Sequence, residues 1–140
     1  MKLAAVSLLV PDYDTGIAFF CHGLGFDLTE NVDQGDKRWV TVTPAGGGCR
    51  LVLARAEGLQ RAAIGNQAGG RVWLFLHSDD FASDAARIAM AGGVFQEAPR
   101  DEAYGRVAVW RDPFGNLWDL IGPAVQDSLS GAKTADLPSD

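Results

Sequence analysis

A short segment of the chain, residues 96–105, concentrates the side chains that are best suited to chemistry. The guanidinium group of Arg100 can bind an anion, and the carboxylate of Glu102 and the phenol of Tyr104 can accept or donate protons. Loops between strands often carry such groups, because the scaffold holds the backbone while the side chains stay accessible. A solvated surface loop has the same composition, so the segment is either a binding or proton-transfer site or a polar connection.

The two histidines are the residues to consider for a metal ion. His77 is followed by Ser78, Asp79 and Asp80, and an imidazole beside carboxylates can begin a metal site. The same residues can instead cap a following helix, and capping explains their position without a missing third ligand. We therefore predict a helix cap here, and a surface role for His22 near the end of an earlier helix.

Hydrophobic periodicity predicts the elements that would position these groups. Residues 3–10 have the composition of a strand, and Asp12 or Asp14 can cap the helix that follows. Short strands at residues 38–43 and 50–53 then flank a glycine-rich turn. The apolar face of the predicted helix consists of Ile17, Phe20, Cys21 and Leu24.

The same order of elements returns at a spacing of about 67 residues, which indicates an internal duplication. We predict a single domain over residues 1–122, made of two modules with the order βαβββ. The modules cover about residues 3–53 and 71–122, and residues 54–70 connect them. The composition of residues 123–140 predicts a flexible C-terminal tail.

Charge and cysteine content argue against several classes of protein. Twelve Lys and Arg against 18 Asp and Glu give a net charge of −6, which is unfavourable for a nucleic-acid partner. No segment approaches the ~20 apolar residues of a membrane helix, and no cleavage site follows the first apolar run. Cys21 and Cys49 lack a C-x-x-C spacing, so we expect reduced thiols in a soluble, cytoplasmic protein.

Two motifs carry a family resemblance: V-P-D-Y-D-x-x-I-A-F-F-x-x-x-L-G-F at residues 10–26 and D-P-F-G-N-L-W-D-L-I at residues 112–121. The chain resembles the vicinal oxygen chelate superfamily, which includes glyoxalase I, fosfomycin-resistance enzymes, extradiol dioxygenases and bleomycin-resistance proteins. The resemblance covers residues 3–122 and implies an α+β fold, in which two paired βαβββ modules form a curled mixed sheet around a groove. It also implies a homodimer, but it selects no single activity, because these proteins perform unrelated functions on one scaffold.

The metal enzymes of this superfamily take His or Glu ligands from the first and last strands of each module. Transfer of those positions onto this sequence gives Ala5, Val52, Arg71 and Asp119. Alanine and valine have no donor atoms and arginine repels a cation, which leaves Asp119 as a single ligand. The resemblance therefore predicts no metal or other cofactor, and the alternative is a divalent metal at a displaced site built from His77 and Asp119.

The resemblance places Arg71 and Asp119 on neighbouring strands with their side chains on one face. We predict an ion pair on the groove floor, which is either functional or a structural bridge. Strand alternation adds Trp73 and Phe75 to the same side. These two rings can stack on a flat or cationic ligand, or they can belong to the core.

Residues 99–105 resemble the P-R-x-E-x-Y-G stretch of a large subgroup of the superfamily. This similarity implies that Arg100, Glu102 and Tyr104 reach over the mouth of the groove. Arg38, beside Trp39, and Gln67, near the end of the connector, are further candidates for ligand contacts.

Two functions follow as hypotheses. The first is a metal-free protein that binds a small cationic or aromatic molecule in the groove, as bleomycin-resistance members do. The alternative is a glyoxalase-like lyase or isomerase, or a dioxygenase-type enzyme, without metal or with a displaced metal. Its catalytic residues would be Asp119, Arg71, Glu102 and Tyr104. A raised carboxyl pKa would favour the enzyme, whereas pairing with arginine would lower that pKa and give a poor base.

Overall fold

The computed structural model describes residues 1–125, whose strands form two mixed sheets. The first sheet has the order β1-β4-β3-β2 and contains β1 (Ala5–Val10), β2 (Asp27–Asp33), β3 (Arg38–Thr43) and β4 (Arg50–Arg55). The second has the order β5-β9-β8-β6, with β7 also paired to β8, and contains β5 (Val72–His77), β6 (Val94–Phe95), β7 (Arg100–Glu102), β8 (Gly105–Arg111) and β9 (Leu117–Gly122). Strand β1 pairs with β4 in parallel, and β5 pairs with β9 in parallel. The other strand pairs are antiparallel. The predicted α+β class is confirmed.

The first helical segment differs from the regular helix that the periodicity predicts. Helix α1 (Tyr13–Ile17) begins at Asp12, whose carboxylate accepts the backbone N–H of Thr15 at 2.8 Å. It continues as a π-helical turn, Ala18–Gly23, which has more residues per turn than an α-helix. As a result Phe19 is buried together with Phe20, although only Phe20 belongs to the predicted apolar face.

Helix α2 (Phe81–Ala91) begins at one of the residues predicted to cap it. Asp80 provides the N-cap and accepts the backbone N–H of Ser83 at 3.1 Å. Gly92 ends the helix in the left-handed conformation, with a φ of 106°. None of the helices in residues 1–125 has the length and hydropathy of a membrane span.

One hydrophobic core lies between the two sheets and contains side chains from both halves of the chain. Phe19 and Phe20 pack near Trp110 and Trp118, and the two indole rings are stacked with centroids 5.2 Å apart. The opposite face of each sheet points away from this core. We call them the first outer face, with Glu30, Val32, Trp39, Thr41 and Val52, and the second outer face, with Phe75, Val107, Val109, Asp119 and Ile121.

The D-P-F-G-N motif is a turn held together by the buried carboxylate of Asp112. Its Oδ1 accepts the backbone N–H groups of Phe114, Gly115 and Asn116, each at 2.9 Å. Its Oδ2 accepts the side-chain amide of Asn116 and the indole N–H of Trp118, also at 2.9 Å. The motif therefore fixes the β8–β9 hairpin and leaves Asp112 no free acceptor for a ligand.

Two segments outside the main strands differ from simple loops. The connector contains a 3-10 helix, Gly58–Ala63, which begins at a capping box formed by Glu57 and Gln60. The polar segment 96–105 contains β7, which forms an antiparallel hairpin with β8, so this connection includes a short strand. Of the predicted tail, residues 126–140 lie outside the described part of the chain.

Candidate functional site

The candidate site centres on Asp119, in the middle of the second outer face. Asp119 on β9 lies between its register partners Phe75 on β5 and Val109 on β8, so the three side chains project from one face. Its Oδ1 atom is buried and has no hydrogen-bond partner among residues 1–125. Burial raises the pKa of this carboxyl, and the charge of Arg100 opposes that rise. Asp119 thus offers an unsatisfied acceptor in apolar surroundings.

The rim beside Asp119 is built by ion pairs on the β7 side of the sheet. Glu97 Oε2 accepts the backbone N–H of Val109 at 2.9 Å, and its Oε1 accepts Arg100 Nε at 2.7 Å. Arg100 Nη1 also donates to Glu102 Oε1 at 2.7 Å. The hydrogen bonds from Arg100 and Val109 lower the pKa of Glu97, and the bond to Glu97 raises the pKa of Arg100. Arg100 is therefore held by two carboxylates at the edge of the face.

The structure brings together most of the predicted polar residues of this segment. Arg100 is close enough to Asp119 and to Tyr104 for the charges to interact. Glu102 is joined to the same group through Arg100. Glu97 has no separate role in the sequence analysis, although its spacing of three residues from Arg100 is a signal for an ion pair.

The predicted ion pair between Arg71 and Asp119 does not form. Arg71 is exposed and precedes β5, whereas the residue opposite Asp119 is Phe75. Among the ion pairs of residues 1–125, none includes Arg71 or Asp119. The error arises because the family positions fix the strand but not the register of the two side chains.

Of the two positions predicted for Trp73, the structure shows the one in the core and not the one on the face of Asp119. The register shifts between Val72 and Leu74, and this bulge interrupts the alternation of side chains along β5. Trp73 is partly buried and packs against the hydrophobic core. Phe75 and His77, beyond the bulge, lie on the side that strand alternation predicts.

Arg38 and Gln67 lie elsewhere in the fold and have structural partners. Arg38 forms an ion pair with Asp14 at 2.8 Å, and its guanidinium lies 5.2 Å from the ring centroid of Tyr13. Gln67 binds the edge of β1, where its Oε1 accepts the N–H of Leu9 at 2.8 Å. Its Nε2 donates to the carbonyl of Ser7 at 3.2 Å. The side chain of Gln67 therefore takes the place of a neighbouring strand on this edge.

The residues at the superfamily's metal positions do not fit a metal ion. Ala5 and Val52 carry no donor atom, and Arg71 is a cation. His77 lies on the same face as Asp119, but within residues 1–125 no three His, Cys, Asp or Glu side chains are grouped to hold a metal. The displaced site would thus lack a third protein ligand.

An apolar cleft of about 480 Å³ adjoins the second outer face. From the second sheet it is lined by Phe75 and His77 and also by residues of the core-facing side, Leu74, Leu76 and Trp118. Phe26 and Leu51 line it from the first half of the chain. Its size is within the range of small-molecule pockets. Asp119 does not line this cleft, and Phe75 is the residue that borders both the cleft and the Asp119 carboxyl.

The fold and this site define a class of protein, and the sequence of residues 2–120 matches the family model of the Glyoxalase/Bleomycin resistance protein/Dioxygenase superfamily. The chain belongs to this superfamily. A protein of Shewanella frigidimarina, described as uncharacterised, is 50% identical over 124 residues, which cover 86% of this chain and 92% of that protein.

Solved structures support the same assignment. The crystal structure of UcmS2 is 28% identical with a TM-score of 0.72, covering 86% of this chain and 97% of that chain. TnmS3, an antibiotic binding protein from Streptomyces sp. CB03234, is 26% identical with a TM-score of 0.67. That match covers 89% of this chain and 98% of TnmS3.

Proposed function

We propose that this protein binds a small aromatic molecule, carrying a cationic or hydrogen-bond-donating group, on the second outer face. The observation that carries the proposal is the buried, unpartnered Oδ1 atom of Asp119. A buried acceptor without a partner is costly, and a donor on a ligand would satisfy it. The net charge of −6 also favours a cationic ligand.

The surroundings of Asp119 suit the remainder of such a ligand. Phe75 is 49% exposed, so a large part of its ring is free for stacking. Val109 supplies an apolar contact on the other side of Asp119. The antibiotic-binding description of TnmS3 is consistent with this kind of function.

A pair of matched probes tests the proposal. Tryptamine carries an aromatic ring and an ammonium group, and 3-ethylindole has a similar shape without the charge. We expect calorimetry to show that the wild-type protein binds tryptamine at least tenfold more tightly. Both probes have an indole N–H that can donate a hydrogen bond, but only tryptamine carries a cation that can form an ion pair with the Asp119 carboxylate. Asp119→Asn should remove most of this preference.

Asp101→Asn is the matched control, since Asp101 is an exposed carboxylate on β7. Its affinity for tryptamine should equal that of the wild type. Equal binding of the two probes by the wild-type protein, or the same loss in both variants, would contradict a recognition role for Asp119.

The raised pKa of Asp119 also supports the enzyme as a second candidate function. A carboxyl with a raised pKa can exchange a proton nearer to neutral pH, and Tyr104 is a second proton donor in the same region. Mass spectrometry of bound molecules after incubation separates the two functions. A binding protein returns its ligand unchanged, whereas a lyase, isomerase or dioxygenase returns a product.

Metal-free function is part of the same proposal, because the donor set at the usual positions does not fit a metal. We expect elemental analysis of protein purified without chelator to find substoichiometric zinc, nickel, manganese and iron. Addition of these ions should leave the thermal unfolding midpoint unchanged. A stoichiometric metal would contradict the transfer of the ligand positions.

We further propose a cytoplasmic homodimer that has no nucleic-acid or membrane partner. The first outer face carries the exposed apolar side chains of Val32 and Trp39, and a second copy could cover them. The free thiols of Cys21 and Cys49 are compatible with a reducing compartment.

A further inference from the structure

A polar cavity of about 260 Å³ lies at one end of the second sheet, and Asp119 does not line it. Arg71, immediately before β5, and Arg111, the last residue of β8, both line this cavity. No Asp or Glu among the described residues does so. Two cationic groups and no carboxylate make the lining of this cavity positive, although the net charge of the chain is −6.

The register of the sheet sets the distance between the two arginines. Leu117 pairs with Val72 on one side and with Arg111 on the other. Two strand spacings separate Val72 from Arg111, which places their Cα atoms roughly 10 Å apart. Arg71 directly precedes Val72, so two extended guanidinium groups can approach one small molecule held between them.

Both guanidinium groups have donors to spare. Neither Arg71 nor Arg111 belongs to an ion pair within residues 1–125, whereas Arg38, Arg50 and Arg55 each do. Arg111 Nη1 donates to the carbonyl of Gly115 at 2.9 Å, which directs its side chain toward the turn that borders the cavity. An arginine carries five N–H donors, so most of them stay available.

The wall of the cavity is fixed by a close backbone contact. Gly65 has a φ of 75°, and a Cβ atom there would lie 2.1 Å from the carbonyl oxygen of Phe114. The connector therefore packs directly on the Asp112 turn. The next residue of the connector, Asn66, lines the cavity. A cavity with a rigid border loses less entropy when it binds a ligand.

We propose that Arg71 and Arg111 form a binding site for a phosphate group, separate from the Asp119 site. Two guanidinium groups match the charge and the oxygen geometry of a phosphate dianion. The volume of the cavity accommodates a phosphate group but no large ligand. This proposal does not depend on the function proposed for the second outer face.

Calorimetric titration at constant ionic strength tests the site, with inorganic phosphate, methyl phosphate, acetate and chloride as probes. We expect wild-type protein to bind at least one phosphate probe and to bind acetate and chloride at least tenfold more weakly. Arg71→Gln/Arg111→Gln should weaken phosphate binding at least tenfold. The control Arg61→Gln, an exposed arginine of the 3-10 helix, should bind as the wild type does.

The outcomes are distinct. Tighter binding of methyl phosphate points to a phosphomonoester ligand, and tighter binding of inorganic phosphate points to the free ion. Both results support the site. Equal binding of phosphate, acetate and chloride, or equal phosphate binding by the double variant and the wild type, overturns it. If the double variant does not fold, Arg71→Gln alone decides, because Arg71 is exposed and unpaired in the described chain.

Discussion

At the scale of single residues, Asp119 links the stability of the protein to pH. Burial raises its pKa above the ordinary value of 3.8, so the carboxyl is protonated more readily in the folded protein than in the unfolded chain. The contribution of this carboxyl to the free energy of unfolding is therefore fully present below pH 3.8, where the group is protonated in the unfolded chain as well. The contribution is lost as the pH rises through the pKa of the folded state. Asp119→Asn cannot ionise, so we expect it to be more stable than the wild type at pH 7, by about 0.5 kcal/mol. Urea unfolding between pH 4 and pH 7 measures this difference, which should shrink toward pH 4.

Asp101→Asn again serves as the control, because Asp101 is exposed and lies 3.8 Å from Arg106. Its stability difference from the wild type should not follow the same trend. A difference for Asp119→Asn that is constant with pH, or that grows on acidification, would contradict the raised pKa.

At the scale of elements, the contact between the connector and the β8–β9 turn should contribute to the stability of the fold. Gly65→Ala places a Cβ atom against the Phe114 carbonyl, which is backbone and cannot move freely. Gly69→Ala has a similar φ, 67°, but its Cβ would meet no atom within 4 Å. Both variants carry left-handed strain, and we expect Gly65→Ala to lose about 2 kcal/mol more in chemical denaturation. Equal losses would show that the connector does not pack on the turn.

The Asp112 turn provides a second prediction at this scale. Asp112→Ala leaves the indole N–H of Trp118 and three backbone N–H groups without their acceptor. We expect the free energy of unfolding to fall by about 3 kcal/mol or more, because these donors are buried or partly buried. The exposed Asp101→Ala should change it by less than about 1 kcal/mol. A loss of similar size in both variants would mean that the turn is held by other contacts.

At the scale of the whole molecule, the outer faces decide the assembly. Val32 is 50% exposed on the first outer face, and Val94 is 61% exposed on β6. We expect sedimentation velocity to show a dimer for the wild type and for Val94→Glu. Val32→Glu should dissociate it, since a buried unpaired charge opposes association. A monomeric wild-type protein, or dissociation by Val94→Glu alone, would contradict an interface on this face.

Much of the fold was predictable because the helix caps, the helix-ending glycine and the apolar strand patterns of the sequence agree with the elements that form. Asp12 and Asp80 are helix caps, Gly92 ends α2, and the strands of both halves follow their apolar patterns. The π-helical turn that buries Phe19 was not predictable, since a 3.6-residue period assumes a regular helix. β7 is short and polar, and only its pairing with β8 makes it a strand.

The sequence by itself determined the α+β class, the superfamily, and the residue types around the site, including Arg100, Glu102 and Asp119. These properties follow from local hydrophobic patterns and from motifs of residues that are close together in the sequence. Only the tertiary structure decided which of these groups meet. The bulge in β5 removed Trp73 from the outer face, and Arg71 lines a cavity together with Arg111 and does not pair with Asp119. Register is set by hydrogen bonds between strands distant in sequence, and a shift of one residue moves a side chain to the opposite face.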